Sequence, residues 1–134
     1  MSEDVALQRN EALLTVCVGP LMAPVLTRVV GMLAARARCP IDRLDDALLI
    51  ADAVAANATA SAIDGRIAVR VTAELGSLEL HVGPLRPRGA SDLVAAAELP
   101  GVGNVLERVA DEVTPEIADD GEDEHLRIRL GFPG

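Results

Sequence analysis

The stretch LDDALLIADAVAANA, residues 44–58, decides the fold that the sequence predicts, because its spacing is that of a helix packed on a sheet. Asp42 is a suitable N-cap residue, and the pattern predicts a helix that continues to about Ala62. At about 100° per residue, one narrow helix face collects small and apolar side chains. They are Leu44, Ala47, Leu48, Ala51, Ala55, Ala58 and Ala62.

Asn57 lies on another side of this predicted helix, with Ile50, Val54 and Ser61, whereas Asp52 lies on a face expected to meet water. A polar amide on a mostly apolar side needs a hydrogen-bond partner. Two interpretations follow. Asn57 lines a binding pocket, or it caps or bonds a neighbouring loop.

The segments around this helix predict the other elements. Alternation of apolar residues predicts strands at 14–18, 67–72, 78–82, 113–117 and 126–132, and helical spacing predicts further helices at 21–38, 91–99 and before residue 113. His81 falls on the polar side of its strand. Residues 83–90 are expected to form a loop, and the acidic run 119–124 a solvated turn. Five strands and three or four helices in this order predict an α+β two-layer sandwich.

Composition limits the classes of protein. A chain of 134 residues is sized for one domain, here residues 13–134 after an N-terminal extension at 1–12. The net charge of −9 argues against binding nucleic acid or an anionic membrane, since both need a basic face. The N-terminus lacks a signal-peptide pattern, so we expect a cytoplasmic protein with reduced Cys17 and Cys39.

Two segments resemble the ATP-binding domain of GHKL (HATPase) anti-sigma-factor serine kinases. In that family a D-D-hydrophobic run precedes E-A-V-T-N-A; here Asn57 and Ala58 match, while Ala53 stands at the glutamate position. Residues 100–113, PGVGNVLERVADEV, are similar to the family's second glycine box, G-x-G-L-x-L, which is followed by a helix ending in A-D-E-V. Gly101 and Gly103 match the two glycines of this box. The resemblance covers residues 13–132 and implies a Bergerat-type ATP-binding fold with a mixed, mostly antiparallel five-stranded sheet.

The resemblance also implies a site. Asn57 would hold the magnesium ion of Mg-ATP, and Gly101 and Gly103 would offer backbone N–H groups to phosphate. Arg86 and Arg88, in the region where the family has its lid, could grip phosphates.

Two departures from the family pattern weaken this site. Ala53 leaves the general-base position without a carboxylate, and no Asp follows Val82 before Asp92 to accept the adenine amino group. We therefore expect ATP and Mg to bind weakly or not at all, and assign no catalytic residue.

The expected function is a degenerate anti-sigma-type regulatory domain. It would act through protein–protein interaction in transcription regulation, as a homodimer with a sigma factor or an antagonist protein as partner. The apolar surface of residues 21–33 favours such an interface. Two alternatives stay open: an active ATP-dependent serine/threonine kinase that uses Asp52 as base or Asp92 for adenine, and a purely structural homo-oligomer.

Overall fold

The structure is a computed structural model that describes residues 9–117, 121 and 123–132. In this part of the chain, seven strands and four helices follow one another. They are β1 (Arg9–Cys17), α1 (Met22–Arg36), α2 (Ile41–Asn57), β2 (Arg66–Glu74), β3 (Ser77–Leu85), α3 (Gly89–Ala96), β4 (Glu98–Leu99), β5 (Gly103–Asn104), α4 (Val105–Val109), β6 (Glu112–Ile117) and β7 (Glu124–Gly131). None of these four helices has the length and apolarity that a bilayer span requires.

The main sheet has the order β1-β2-β3-β7-β6, and each neighbouring pair is antiparallel. Alternate residues of its strands are buried against the helices, as in the row Leu14, Val69, Val82 and Leu126. Such one-sided burial makes two layers, helices on a sheet. The predicted α+β sandwich with a five-stranded sheet is therefore confirmed for the described residues, whereas the sheet there is antiparallel throughout and not mixed, as the resemblance implied.

The opposite face of the sheet carries charged side chains. Arg127 on β7 lies within 3.4–3.6 Å of the carboxylates of Glu79, Glu112 and Glu116. His81 is on this face, as the alternation predicts, with Nε2 3.3 Å from Oε1 of Glu79. These partly exposed pairs add little stability individually.

The central helix α2 differs from its predicted bounds. Its N-cap is Pro40 and not Asp42, which lies in the first turn, and it ends at Asn57, well before Ala62. The chain leaves the helix because the N–H groups of Ser61 and Ala62 turn back to the carbonyl oxygen of Ala58. The buried Ser61 hydroxyl then donates a 2.9 Å hydrogen bond to the carbonyl oxygen of Gly89.

The buried face of α2 is also rotated from the predicted one. Ile50 and Val54, placed by the sequence beside Asn57, are buried in the core, whereas Leu44 and Ala55 are only half-buried. The reason is that α2 packs mainly on α1 and also contacts α4. Two neighbours bury a wider stripe than one sheet would.

Three further expectations are wrong in detail. Residues 83–85 belong to β3 and not to a loop, and α3 begins at Gly89 instead of Ser91. The A-D-E-V sequence does not end a helix: α4 stops at Val109, and Glu112 already belongs to β6. The N–H of Asp111 donates to the carbonyl oxygen of Arg129, which draws the chain into the sheet.

The first strand begins earlier than the pattern predicts. β1 starts at Arg9, whose guanidinium lies 3.2 Å from Glu74 on β2 and 3.1 Å from Glu11. The hydrogen bond from Arg9 lowers the pKa of the Glu11 carboxyl below its usual value. Part of the predicted acidic turn, residues 119, 120 and 122, lies outside the described residues.

Candidate functional site: a cavity beside Asn57

A cavity of about 240 Å³ lies between α2, the end of α3 and the β4–α4 segment. Asn57 forms part of its wall, which agrees with the interpretation that this amide faces a pocket. Apart from Asn57 and Asp52, the lining side chains are small or apolar. They are Leu49, Ala53, Ala56, Ala96, Ala97, Leu99 and Val105.

Asn57 is bonded within its own helix. Its Nδ2 atom donates a 2.8 Å hydrogen bond to the carbonyl oxygen of Ala53, one turn earlier. A carbonyl oxygen accepts only from a donor, so this contact uses the nitrogen end of the amide. Among the described residues no donor reaches Oδ1, which stays available as an acceptor at the half-buried Asn57.

The position expected for a general base also lies in the cavity wall, and it is Ala53. The only carboxylate among the residues that line the cavity is Asp52, whose side chain is exposed. Asp92 is exposed in the first turn of α3 and does not line the cavity. The structure thus places one of the two alternative acidic residues near Asn57.

The two glycines lie away from Asn57, at the turn that joins β4 and β5. Gly101 and Gly103 have φ angles of 78° and 92°, which favour glycine, but neither lines the cavity. Arg108 folds over this turn and donates a 2.7 Å hydrogen bond to the carbonyl oxygen of Val102. The Gly-x-Gly segment is therefore a hairpin turn held by the protein's own side chain.

Asn104 is the N-cap residue of α4, and its side chain bonds a free backbone N–H group at the start of this helix. Its Oδ1 accepts from the N–H of Glu107 at 3.1 Å, and its Nδ2 donates to the carbonyl oxygen of Val94 at 2.6 Å. The N–H of Val105 also donates, at 3.0 Å, to the carbonyl oxygen of Ala97. These bonds hold the β4–α4 segment against α3. They also occupy backbone N–H groups at the start of α4 that could otherwise donate to a phosphate.

Arg86 and Arg88 are exposed on the loop before α3, and neither lines the cavity. The backbone N–H groups of Arg88 and Ala90 donate to the two carboxylate oxygens of Glu124, at 2.9 and 3.1 Å. A carboxylate from β7 thus already occupies the positive end of α3.

The apolar part of the cavity wall was not predicted from the sequence. Leu49, Ala53 and Ala56 follow helical spacing beside Asn57, so the α2 side was recognisable in the sequence. Ala96, Ala97 and Leu99 were not recognisable, because their approach to α2 depends on the tertiary bonds of Asn104 and Val105. Among the described residues, no three His, Cys, Asp or Glu side chains are grouped as a metal site would need.

In comparisons with known proteins, no family model and no curated protein matches this chain.

Proposed function

We propose that this chain is a regulatory, protein-binding domain of the GHKL anti-sigma type that has lost kinase activity and most or all of its affinity for ATP. It would act in transcription regulation by binding a sigma factor or an antagonist protein. The observation that carries the proposal is the chemistry of the cavity at Asn57. Where the resembling kinases need a base, the wall has the methyl group of Ala53.

The size and polarity of the cavity support the loss of nucleotide binding. Its volume of about 240 Å³ is below the ~300–1,000 Å³ of ordinary small-molecule pockets. No arginine lines it, so the triphosphate would lack a cation there. None of the candidate phosphate-binding residues, Gly101, Gly103, Arg86 and Arg88, lines the cavity.

Exposed apolar side chains on α1 support binding through a protein surface. Leu21, Val25 and Met32 are 75%, 39% and 59% exposed, and successive members are four and seven residues apart, on one side of the helix. Contiguous exposed apolar surface commonly marks a protein interface. β1 beside it is an outer strand of the main sheet, which leaves one strand edge for a partner.

An active serine/threonine kinase is the second candidate, and the place of Asp52 in the cavity wall is the observation that favours it. Calorimetry with Mg-ATP separates the two. Under the proposal, wild-type protein and Asn57→Ala give the same weak or undetectable heat. A micromolar or tighter constant that Asn57→Ala abolishes would contradict it and favour the kinase.

The regulatory role needs its own test. Purified chain is mixed with each sigma factor and each antagonist protein of the same organism, with and without Mg-ATP, and complexes are separated by size. We expect a stable complex that forms without nucleotide and transfers no phosphate to the antagonist. Absence of any complex under both conditions would leave the structural homo-oligomer as the better account.

A further inference from the structure

We propose that the cavity beside Asn57 is a binding site for a small cationic amphiphile, a primary alkylammonium ion with a short apolar chain. The inference does not depend on the proposed regulatory role, because it rests on the lining of the cavity alone.

The shape and lining of the cavity select the apolar part of the ligand. Ala53 and Ala56 on α2 face Ala96 and Ala97 at the end of α3, and Leu49 and Leu99 flank them. Alanines at these positions leave a space that larger side chains would fill. Burial of a methylene group in such an environment is favourable, so each added methylene should tighten binding about fourfold until the cavity is full.

The polar atoms of the wall select the head group. The Asp52 carboxylate is an acceptor only, and Asn57 offers Oδ1, which no donor of the described residues reaches, while one of its two Nδ2–H donors is bonded to the carbonyl oxygen of Ala53. No Arg or His lines the cavity, and no ion pair is formed by Asp52 within the described residues. An ammonium group, with three donors and a positive charge, complements two acceptors; a carboxylate or phosphate does not.

The test is a ligand titration that is monitored by NMR, through the backbone and side-chain amide signals of the protein. The probes share a six-carbon chain and differ in their heads: hexylammonium, hexanol and hexanoate, with butylammonium as the shorter cation. We expect shifts at residues 49–57 and 96–99 in the order hexylammonium, hexanol, hexanoate. Butylammonium should bind more than tenfold more weakly than hexylammonium.

Two pairs of variants, each with a matched control outside the cavity, test whether binding depends on the cavity wall. Asp52→Asn should remove the preference for hexylammonium over hexanol, whereas Asp45→Asn, exposed on the same helix outside the cavity, should not. Ala56→Leu should fill the cavity and weaken hexylammonium at least tenfold, whereas Ala95→Leu on α3 should not. Both leucine variants replace exposed residues, and a thermal melt checks that they are folded.

Three results would overturn the proposal. They are shifts from hexanoate as large as those from hexylammonium, hexylammonium shifts spread over the surface outside the cavity, and binding unchanged by both Asp52→Asn and Ala56→Leu. The Asp52→Asn variant keeps the outcome decisive if Ala56→Leu fails to fold, because it changes charge with almost no change in volume.

Discussion

The side-chain nitrogen of Asn57 lies 2.8 Å from the carbonyl oxygen of Ala53, so the residue expected to hold a metal is bonded to the residue at the position of the base. This bond holds the amide against its own helix and uses one of the two hydrogens on Nδ2. The oxygen that remains is the atom that a cation prefers. Asp52 is the only charged residue in the cavity wall around this oxygen. A negative charge favours a small cation over a nucleotide.

The buried face of α2 gives the first prediction. Ala51 is fully buried in the core, whereas Ala55 is half-buried. Ala51→Leu should overpack this interface and lower the free energy of unfolding by about 1 to 3 kcal/mol. Ala55→Leu should cost less. Urea unfolding of both variants measures the difference, with Ala95→Leu, at an exposed residue of α3, as control. Equal losses at 51 and 55 would mean that the packing face of α2 is wrong.

The sequence was sufficient for the architecture because it depends on long periodic segments. Alternation placed Leu126, Ile128 and Leu130 on the core side of β7, and all three are buried. The tight turn that joins β2 to β3 contains Gly76, which has a φ angle of 89°.

Ends of elements and the far wall of the cavity were not recoverable from the sequence, for one physical reason. They depend on bonds between residues distant in the chain. α4 is short and the chain enters β6 because Asp111 bonds to Arg129 and to Arg43. The predicted ligand groups Gly101 and Gly103 share a turn away from Asn57, because that turn folds onto α3 and Arg108.

Asn104 gives the second prediction, since it joins α3 to α4. Asn104→Ala removes the cap of α4 and the bond to the carbonyl oxygen of Val94, and should lower the free energy of unfolding by about 1 to 2 kcal/mol. Asn104→Asp keeps the acceptor for the N–H of Glu107 and loses only the donor. Hydrogen exchange at the Glu107 amide should therefore quicken in the alanine variant and much less in the aspartate variant. Equal protection in both variants would contradict the capping role.

The two cysteines give a third prediction, about pH. Burial raises the pKa of the Cys39 thiol above its ordinary value of 9.0, although nearby Arg43 opposes this, whereas Cys17 is exposed. The thiolate is the reactive form. Iodoacetamide should therefore modify Cys17 before Cys39 below pH 9, as peptide mass spectrometry would show.

The same shift in pKa links Cys39 to stability. Because the folded state binds the thiol proton more tightly, the stabilisation is complete below the ordinary pKa and is lost as the pH rises through the raised one. Cys39→Ser should lack this alkaline loss, while Cys17→Ser should keep it. Urea unfolding at pH 8 and pH 10 makes the comparison. Parallel losses in both variants would assign the alkaline effect to other groups.

The last prediction concerns the apolar surface of α1, where the structure changes which residues are worth testing. The predicted surface included Met22, but Met22 is only 1% exposed and lies in the core, and Val29 packs against the core at its edge. Val25 and Met32 on α1 and Leu21 at its N-cap are exposed on one side of the helix, which the exposed Arg28 interrupts. If the chain is a homodimer, as we propose, these three residues are the best candidates for the interface.

Light scattering at micromolar concentration tests the interface with the double variant Val25→Glu and Met32→Glu. We expect a dimeric wild-type protein and a monomeric variant with an unchanged melting temperature. Glutamates on an exposed side of a helix cost the monomer little stability, whereas burial of their carboxylates in an interface carries a large desolvation cost. Leu75→Glu, at a 52% exposed residue in the turn between β2 and β3, is the matched control and should remain dimeric. Met22→Glu should instead unfold the protein, since it buries a charge in the core. A monomeric wild-type chain, or a dimer that survives the double variant, would remove α1 from the interface.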